Sequence, residues 1–455
     1  MTATLLCHRA APLRARALRS CALSLLLLLL PSLSRVSPAA AEPRFGDSTW
    51  AAPNAPLRPG DPTEPGPRVA PPDHERTWET VMRAPFRLAF LPLRVVARGG
   101  EAAANRWGDK IFNPQATEPR RGLHVGPAIK VGRVNDVGIG PGITWVGFPA
   151  RDATLNAHAT WSSIDRRLIK ISEVVGLDRP VGFDLTGAYD HRPNRRYYGI
   201  GNATPETNRS YFLGEETRIE SRFRIGRSPV RQLRLVGGYS DIGARRGSHG
   251  TPLLEEIFAP QNVPYFHQGT RDYLYGVTGE LALLDDDRDP SEGVHGLFEG
   301  RHYMGLDSSD PDYNEWLLEG RAYVPVFSDR RVIALRGAYA GVEPTSGTTV
   351  MPFYRLAMSD GPLRFAGYAS QRFRDRRLAL AHAEYRWAVW RRLNAMLLYE
   401  WGLVAPRASE FTLADAHKSY GGGFRLGTGP GKDLRIQFAK SNEGWHGELH
   451  MGTGF

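Results

Sequence analysis

From about residue 122 to the C-terminus, stretches of roughly ten residues alternate apolar and polar side chains, separated by short runs of turn residues. The last of them shows the pattern most simply. Trp445, Gly447, Leu449, Met451, Thr453 and Phe455 share one phase, and His446, Glu448, His450, Gly452 and Gly454 share the other. Successive side chains of a strand point to opposite faces, so a period of two gives a sheet with one apolar and one polar face. Leu397, Tyr399 and Trp401 against Leu398 and Glu400 repeat the pattern, as do Leu434, Ile436 and Phe438 against Arg435 and Gln437. Such a sheet can cover a soluble core, or it can close into a barrel whose apolar face meets lipid. The number of alternating segments, with Tyr and Trp near their ends, favours the barrel. After the first thirty residues no run of 18 apolar residues occurs, which excludes helical membrane spans.

Segments near 122–132, 137–147, 154–163, 166–176, 181–191, 211–226, 231–242, 273–284, 294–305, 314–326 and 331–342 read as strands. Five more follow near 377–388, 392–404, 418–428, 432–441 and 444–455. The fold class is therefore all-β: a transmembrane antiparallel β-barrel of 16 strands over 122–455, preceded by a short helical segment. Long connections are expected at 192–210, 243–272 and 343–376, on the extracellular side, where barrels carry their longer loops.

Residues 1–41 read as a signal peptide. Arg9, Arg14, Arg16 and Arg19 precede the apolar run Leu25–Leu30, and Ala39-Ala40-Ala41 offers a cleavage site before Glu42. The two cysteines, Cys7 and Cys21, both lie there, so the exported chain has no disulfide or cysteine metal site. Residues 42–76 are rich in Pro, Gly and charge and read as a disordered linker. Within 77–118, Phe86, Leu88, Phe90, Leu91, Leu93, Val95 and Val96 interleave with Arg83, Arg87, Arg94 and Arg98, around Pro85 and Pro92. This is an amphipathic, Pro-kinked helical pattern, suited to the membrane surface, to a plug, or to packing at the barrel mouth.

The formal net charge is +10. The arginines are spread along the strand segments rather than clustered, which fits a basic lumen or rim; export argues against nucleic acid. No His-Glu-x-x-His, Gly-x-Ser-x-Gly or Walker-type sequence is present, and no nucleophile–base spacing stands out, so no enzyme activity and no cofactor are expected. Asp285-Asp286-Asp287 has the oxygen chemistry for a divalent cation, although acidic runs at turns are commonly solvated.

Several segments resemble the BamA/TamA-like bacterial surface antigen family. They are Tyr197-Tyr198-Gly199-Ile200-Gly201-Asn202, Asp287-Arg288-Asp289-Pro290 followed by Gly293, and Arg372-Phe373-Arg374-Asp375-Arg376 followed by Glu384-Tyr385-Arg386-Trp387. Ser419 to Arg425, Leu434-Arg435, Glu443-Gly444 and the terminal Phe455 continue the series in order. The resemblance implies an outer-membrane assembly or translocation barrel, here a member lacking polypeptide-transport-associated modules. It also implies a lid loop that folds into the lumen, where an arginine just before Gly-Phe/Tyr pairs with carboxylates of neighbouring strands. Here Gly367-Tyr368 follows Ala366, and the nearest arginine is Arg364; the partner strand carries Glu400, two residues before Gly402, where the family has Asp. Arg364, Arg372 and Arg374 are thus expected to face Glu384 and Glu400, with Arg386 joining the network.

Two function classes follow. One is a protein-handling barrel, for insertion, translocation or surface display; the other is a passive or substrate-selective pore. The implied partners are outer-membrane lipids, the barrel assembly machinery during biogenesis, and a polypeptide or lipid substrate. The implied location is the cell outer membrane. Phe455 resembles the family's assembly signal and suits the membrane interface. Deleting Phe455 should lower the outer-membrane yield and leave protein in the periplasm; fractionation showing unchanged yield would count against that role.

Overall fold

A computed structural model describes residues 121–451 apart from 132–136, 177–178, 229–230, 288, 346–349, 390–392 and 430–431. The signal, linker and amphipathic segments expected over 1–118, and Phe455, lie outside the described residues. The strands are β1 (Gly122–Val131), β2 (Val137–Val146), β3 (Ala153–Ser162), β4 (Arg167–Val175), β5 (Val181–Tyr197), β6 (Ser210–Ser228), β7 (Arg231–Arg246) and β8 (Gly269–Leu284). They continue as β9 (Gly293–Gly305), β10 (Tyr313–Val326) and β11 (Ser328–Pro344), then the two-residue β12 (Ala357–Met358) and β13 (Arg374–Asp375). The series ends with β14 (Arg377–Ala388), β15 (Leu393–Ala405), β16 (His417–Gly429), β17 (Lys432–Ser441) and β18 (Gly444–Met451). All but β12 and β13 form one 16-stranded antiparallel sheet in chain order. Each strand pairs with its sequence neighbour, as successive hairpins require. Among the described residues, β1 and β18 form no ladder with each other.

The two faces are those the alternation dictates. On β6, Ile219, Phe223 and Ile225 are exposed, whereas Glu216, Arg218, Glu220 and Arg224 are buried. A soluble sheet would do the reverse. The outward belt continues through Leu235, Leu281, Phe298, Leu397, Phe438 and Leu449, all exposed. Hydrocarbon is the solvent that suits such a belt, and the intact backbone ladder leaves few unpaired amides beneath it. The connection 345–376 touches β5, β8, β11, β15 and β18 (see below), which requires the sheet to curl around it.

Four strands run longer than the alternation indicates. β5 continues to Tyr197 rather than 191, β6 opens at Ser210, β7 continues to Arg246 rather than 242, and β8 begins at Gly269 rather than 273. The connections expected at 192–210 and 243–272 shrink accordingly to 198–209 and 247–268, the second holding the single-turn helix α1 (Leu254–Ile257). In the extra turns of ladder the outward residues are charged or aromatic, such as Arg245 and Arg271. Above the apolar belt the outward face meets water, so hydrogen bonding persists after the hydropathy signal ends. A further long connection, 406–416, went unmarked in the sequence because its residues are neither Gly-rich nor strongly patterned.

Ile219→Arg places a charge on the outward belt and should destabilise the folded state by roughly 2–4 kcal/mol if the site is near the bilayer midplane. Urea-titrated refolding into lipid vesicles measures this; an unchanged midpoint would mean that this face does not lie in hydrocarbon.

Candidate functional site

The inner wall is a mesh of shared carboxylates. Glu220 on β6 takes Arg222 at 2.6 Å and Arg301 of β9 at 2.5 Å. Glu319 on β10 takes Arg321 and Arg336, both at 2.5 Å. Glu384 on β14 takes Arg386 at 2.5 Å and Arg435 of β17 at 2.7 Å. Sharing one glutamate between arginines of different strands satisfies both its oxygens and ties the wall together sideways. The arginines read as spread along the strands are these inward groups.

Against this wall packs the connection 345–376, buried along almost the whole of 351–375. It contains a minimal hairpin, β12 against β13. Leu363, Phe365, Tyr368 and Phe373 make a small core with Leu317, Leu378, Leu380 and Val404 of the wall. Phe353 packs edge-on to Tyr197 and Phe212 at 5.0 Å between ring centroids. Two glycines make the approach close. A Cβ on Gly402 would come within 2.3 Å of the Phe365 ring, and one on Gly367 within 2.4 Å of the Ser419 side chain. Both positions need the absent side chain rather than unusual torsions.

The polar contacts depart from the expected pairing. Glu400 accepts a hydrogen bond from the Ala366 backbone N–H at 3.0 Å and contacts His382 at 3.1 Å. It does not pair with Arg364, which reaches Glu448 on β18. Arg364 sits two residues before the backbone that lies over β15, and the loop's turn, closed by Tyr368 N–H to the Phe365 carbonyl at 3.0 Å, carries it toward the last strand instead. Arg372 pairs with Glu443 at 2.8 Å, donates to the Thr204 hydroxyl at 2.8 Å, and lies over the Tyr198 ring. Arg374 donates to the Arg196 carbonyl at 2.6 Å and stacks on Tyr197. Its described partners are carbonyls and rings, where a carboxylate was expected. Asp375 accepts from the Arg376 N–H at 2.7 Å, and burial pushes its carboxyl up. Glu384 and Arg386 do join one network with Glu400, through His382, which lies 3.5 Å from Glu384. Tyr368 donates to Asn442 at 2.8 Å; burial pushes its hydroxyl up to about 12, so it remains a donor at neutral pH.

Sequence reasoning missed one fully buried charge. Arg355 is completely buried, paired with Asp272 of β8, donating to Ser240 of β7 at 2.9 Å, and flanked by the stacked rings of Tyr303 and Tyr313. Its signal was legible: a lone arginine within the apolar run Met351 to Met358. Glu443, Glu448 and Asn442 were missed as partners, because the last hairpin read only as a lipid-facing alternation. The sequence pattern alone gives Asn202 no role. It accepts from the Val404 N–H at 3.0 Å and donates to the Asp415 carbonyl at 2.7 Å, joining two outer connections to the end of β15.

No family model matches the chain, and no curated protein does. Among solved structures it is similar to BamA from Haemophilus ducreyi lacking POTRA domains 1–3, at 14% identity over 73% of this chain and 69% of that one, with a TM-score of 0.55. It is also similar to CdiB from Acinetobacter baumannii, at 12% identity over 73% of this chain and 60% of that one, with a TM-score of 0.45. The first likeness gives the fold: this is a BamA-like barrel.

Removing one partner of a buried ion pair costs roughly 3–5 kcal/mol, because the other charge stays buried. Arg372→Ala should therefore loosen the loop far more than Glu400→Gln, which keeps an oxygen for the Ala366 N–H. Limited proteolysis of the folded barrel, read as the rate of cleavage within 350–376, checks the order; equal rates would mean that Arg372 does not hold the loop.

Proposed function

We propose that this chain is an outer-membrane barrel that handles polypeptide, by insertion, translocation or surface display, and that the segment 350–376 is its lid. The observation that carries this reading is the seating of the lid. An open pore gains nothing from filling its lumen with the 21 buried residues of 351–375, fixed by ion pairs to the wall. Among the described residues β1 and β18 form no ladder with each other, and this supports the same reading, since strand edges are where another chain can add. The BamA-like fold and the alternation of the C-terminal strand support an outer-membrane location, with lipid around the belt and the assembly machinery as a partner during biogenesis. The reading invokes no catalysis and needs no cofactor.

A photo-crosslinking residue at Tyr368 tests the function directly. In intact cells it should trap an exported polypeptide, and in planar bilayers the protein should open rarely. A wide, steady conductance with no trapped polypeptide would make the chain a passive pore. Tyr368→Cys adds a check on the lid: a bulky, membrane-impermeant thiol reagent should label it poorly until Arg372 is also replaced.

A further inference from the structure

Near the lid, part of the outward face is covered. The phase that leaves Leu397 and Tyr399 of β15 56% and 47% exposed continues to Leu403 and Ala405, which are 3% and 5% exposed. Ala379 of β14, the ladder partner of Leu403 and in the same outward phase, is 7% exposed. A row that met lipid directly would stand open, as the belt does. The segment that reaches this row is the β15–β16 connection, 406–416. Its Phe411 packs edge-on against the outward ring of Tyr339 on β11, at 6.2 Å between centroids. β14 lies between β11 and β15 in the sheet, so the connection folds down over the outside of the wall instead of standing up from the rim.

The surface it lies on adjoins the apolar belt. Tyr339 is the ladder partner of Leu318, and Leu318 is that of Phe298; both partners are exposed. Beside Tyr339, Trp316 carries the Arg377 guanidinium over its ring at 4.6 Å, an aromatic and a cation together on the outward side, as at a bilayer interface. On the connection itself, Leu413 opens a single 3-10 turn and is 69% exposed. Arg407 and Glu410, paired at 3.2 Å, are the exposed charges near its start. The far end is fixed over the rim. The Asp415 carbonyl accepts from Asn202 at 2.7 Å, and His417 donates to the Asn202 carbonyl at 2.8 Å while stacking on the lid ring of Phe373 at 3.8 Å.

We propose that 406–416 is a membrane-contacting strap whose Leu413 seats at the boundary between headgroups and acyl chains of the outer leaflet. The argument is continuity: a segment laid on a lipid-facing wall meets the lipid that the wall meets, and an exposed leucine gains by leaving water there. Arg407 and Glu410 suit the headgroup layer, from which long charged side chains reach water. A protein partner fits less well, since one leucine and a charged pair fall well short of the roughly 800 Å² that a stable protein interface buries on each side. Through Asn202 and His417 the strap also joins the lipid outside the wall to the lid inside it. The strap goes beyond the polypeptide-handling reading and requires only that the sheet lies in lipid.

The test uses single cysteines carrying a polarity-sensitive fluorophore, in protein with Cys7→Ser and Cys21→Ser, folded into phosphatidylcholine vesicles and checked for heat-modifiable migration. Leu413→Cys is compared with Phe438→Cys, a belt position 56% exposed, and with Thr207→Cys, exposed in the 198–209 connection. The label at 413 should emit at shorter wavelength than the label at 207, and phosphatidylcholine brominated on its acyl chains should quench it, as it quenches the label at 438. A label at 413 that matches the one at 207, open to iodide and untouched by bromine, would overturn the strap and leave the proposed function standing. One shielded from iodide yet unquenched by bromine, with shielding that falls as the protein is diluted in lipid, would overturn it in favour of contact with a second copy. If the label at 438 also escapes bromine, the sheet does not lie in lipid, and the strap and the proposed function fall together.

Discussion

Charge on the inner face of this sheet has nowhere to go but across the lumen. The outward face is apolar, so every arginine and glutamate in the other phase of the alternation must find its partner among inward groups. Isolated charges there would carry a large desolvation cost, whereas shared carboxylates with both oxygens bonded offset it. Glu220, Glu319 and Glu384 each meet that condition with two or more arginines. Asp272 on β8, Glu448 on β18 and Glu443 in the turn before it meet cations from the lid, Arg355, Arg364 and Arg372 in that order. Lid and wall therefore form one electrostatic unit, and neither is complete without the other.

The placement of those three arginines gives the lid a mechanical character. Arg355 is the anchor: wholly buried, beside the stacked pair of Tyr303 and Tyr313, and bound to β7 and β8. Arg372 and Arg364 hold the final hairpin, with Tyr368 bonded to its turn at Asn442. The hairpin at the edge of the sheet thus has a partner on its inner side although β18 forms no ladder with β1 among the described residues. Lifting the lid would remove three polar contacts from that hairpin at once. Movement of the lid and movement of the sheet edge are coupled through these named side chains.

The architecture was legible in the sequence because lipid imposes its own period. Wherever hydrocarbon bathes the outer face, side chains alternate, and there the strands were read to within a few residues, as at β10 and β17. Above the belt that pressure ends, so the extra ladder of β5 through β8 left no trace in hydropathy. The lid was legible as a region because the strand alternation lapses over 343–376 and the family resemblance implied a lid loop there. Its partners were not. Strand phase tells which carboxylates face inward, but it does not tell which of them lies under a given loop residue, since that depends on how far the loop travels before it turns. Glu400 faces inward as its phase requires, yet what it meets is the Ala366 backbone.

That last contact explains why a longer carboxylate and a displaced arginine can coexist in this lumen. A backbone N–H asks of its acceptor only an oxygen at the right height, and Glu400 provides one while its other oxygen contacts His382. His382 in turn faces Glu384, so the lid backbone is linked to the arginine mesh through a histidine instead of through a guanidinium. Arg364 acts instead on the last hairpin of the sheet, through Glu448. In this barrel the work of seating the lid is divided: backbone and histidine fix its height over β14 and β15, and the arginines fix its reach, from Asp272 on one side to Glu448 on the other.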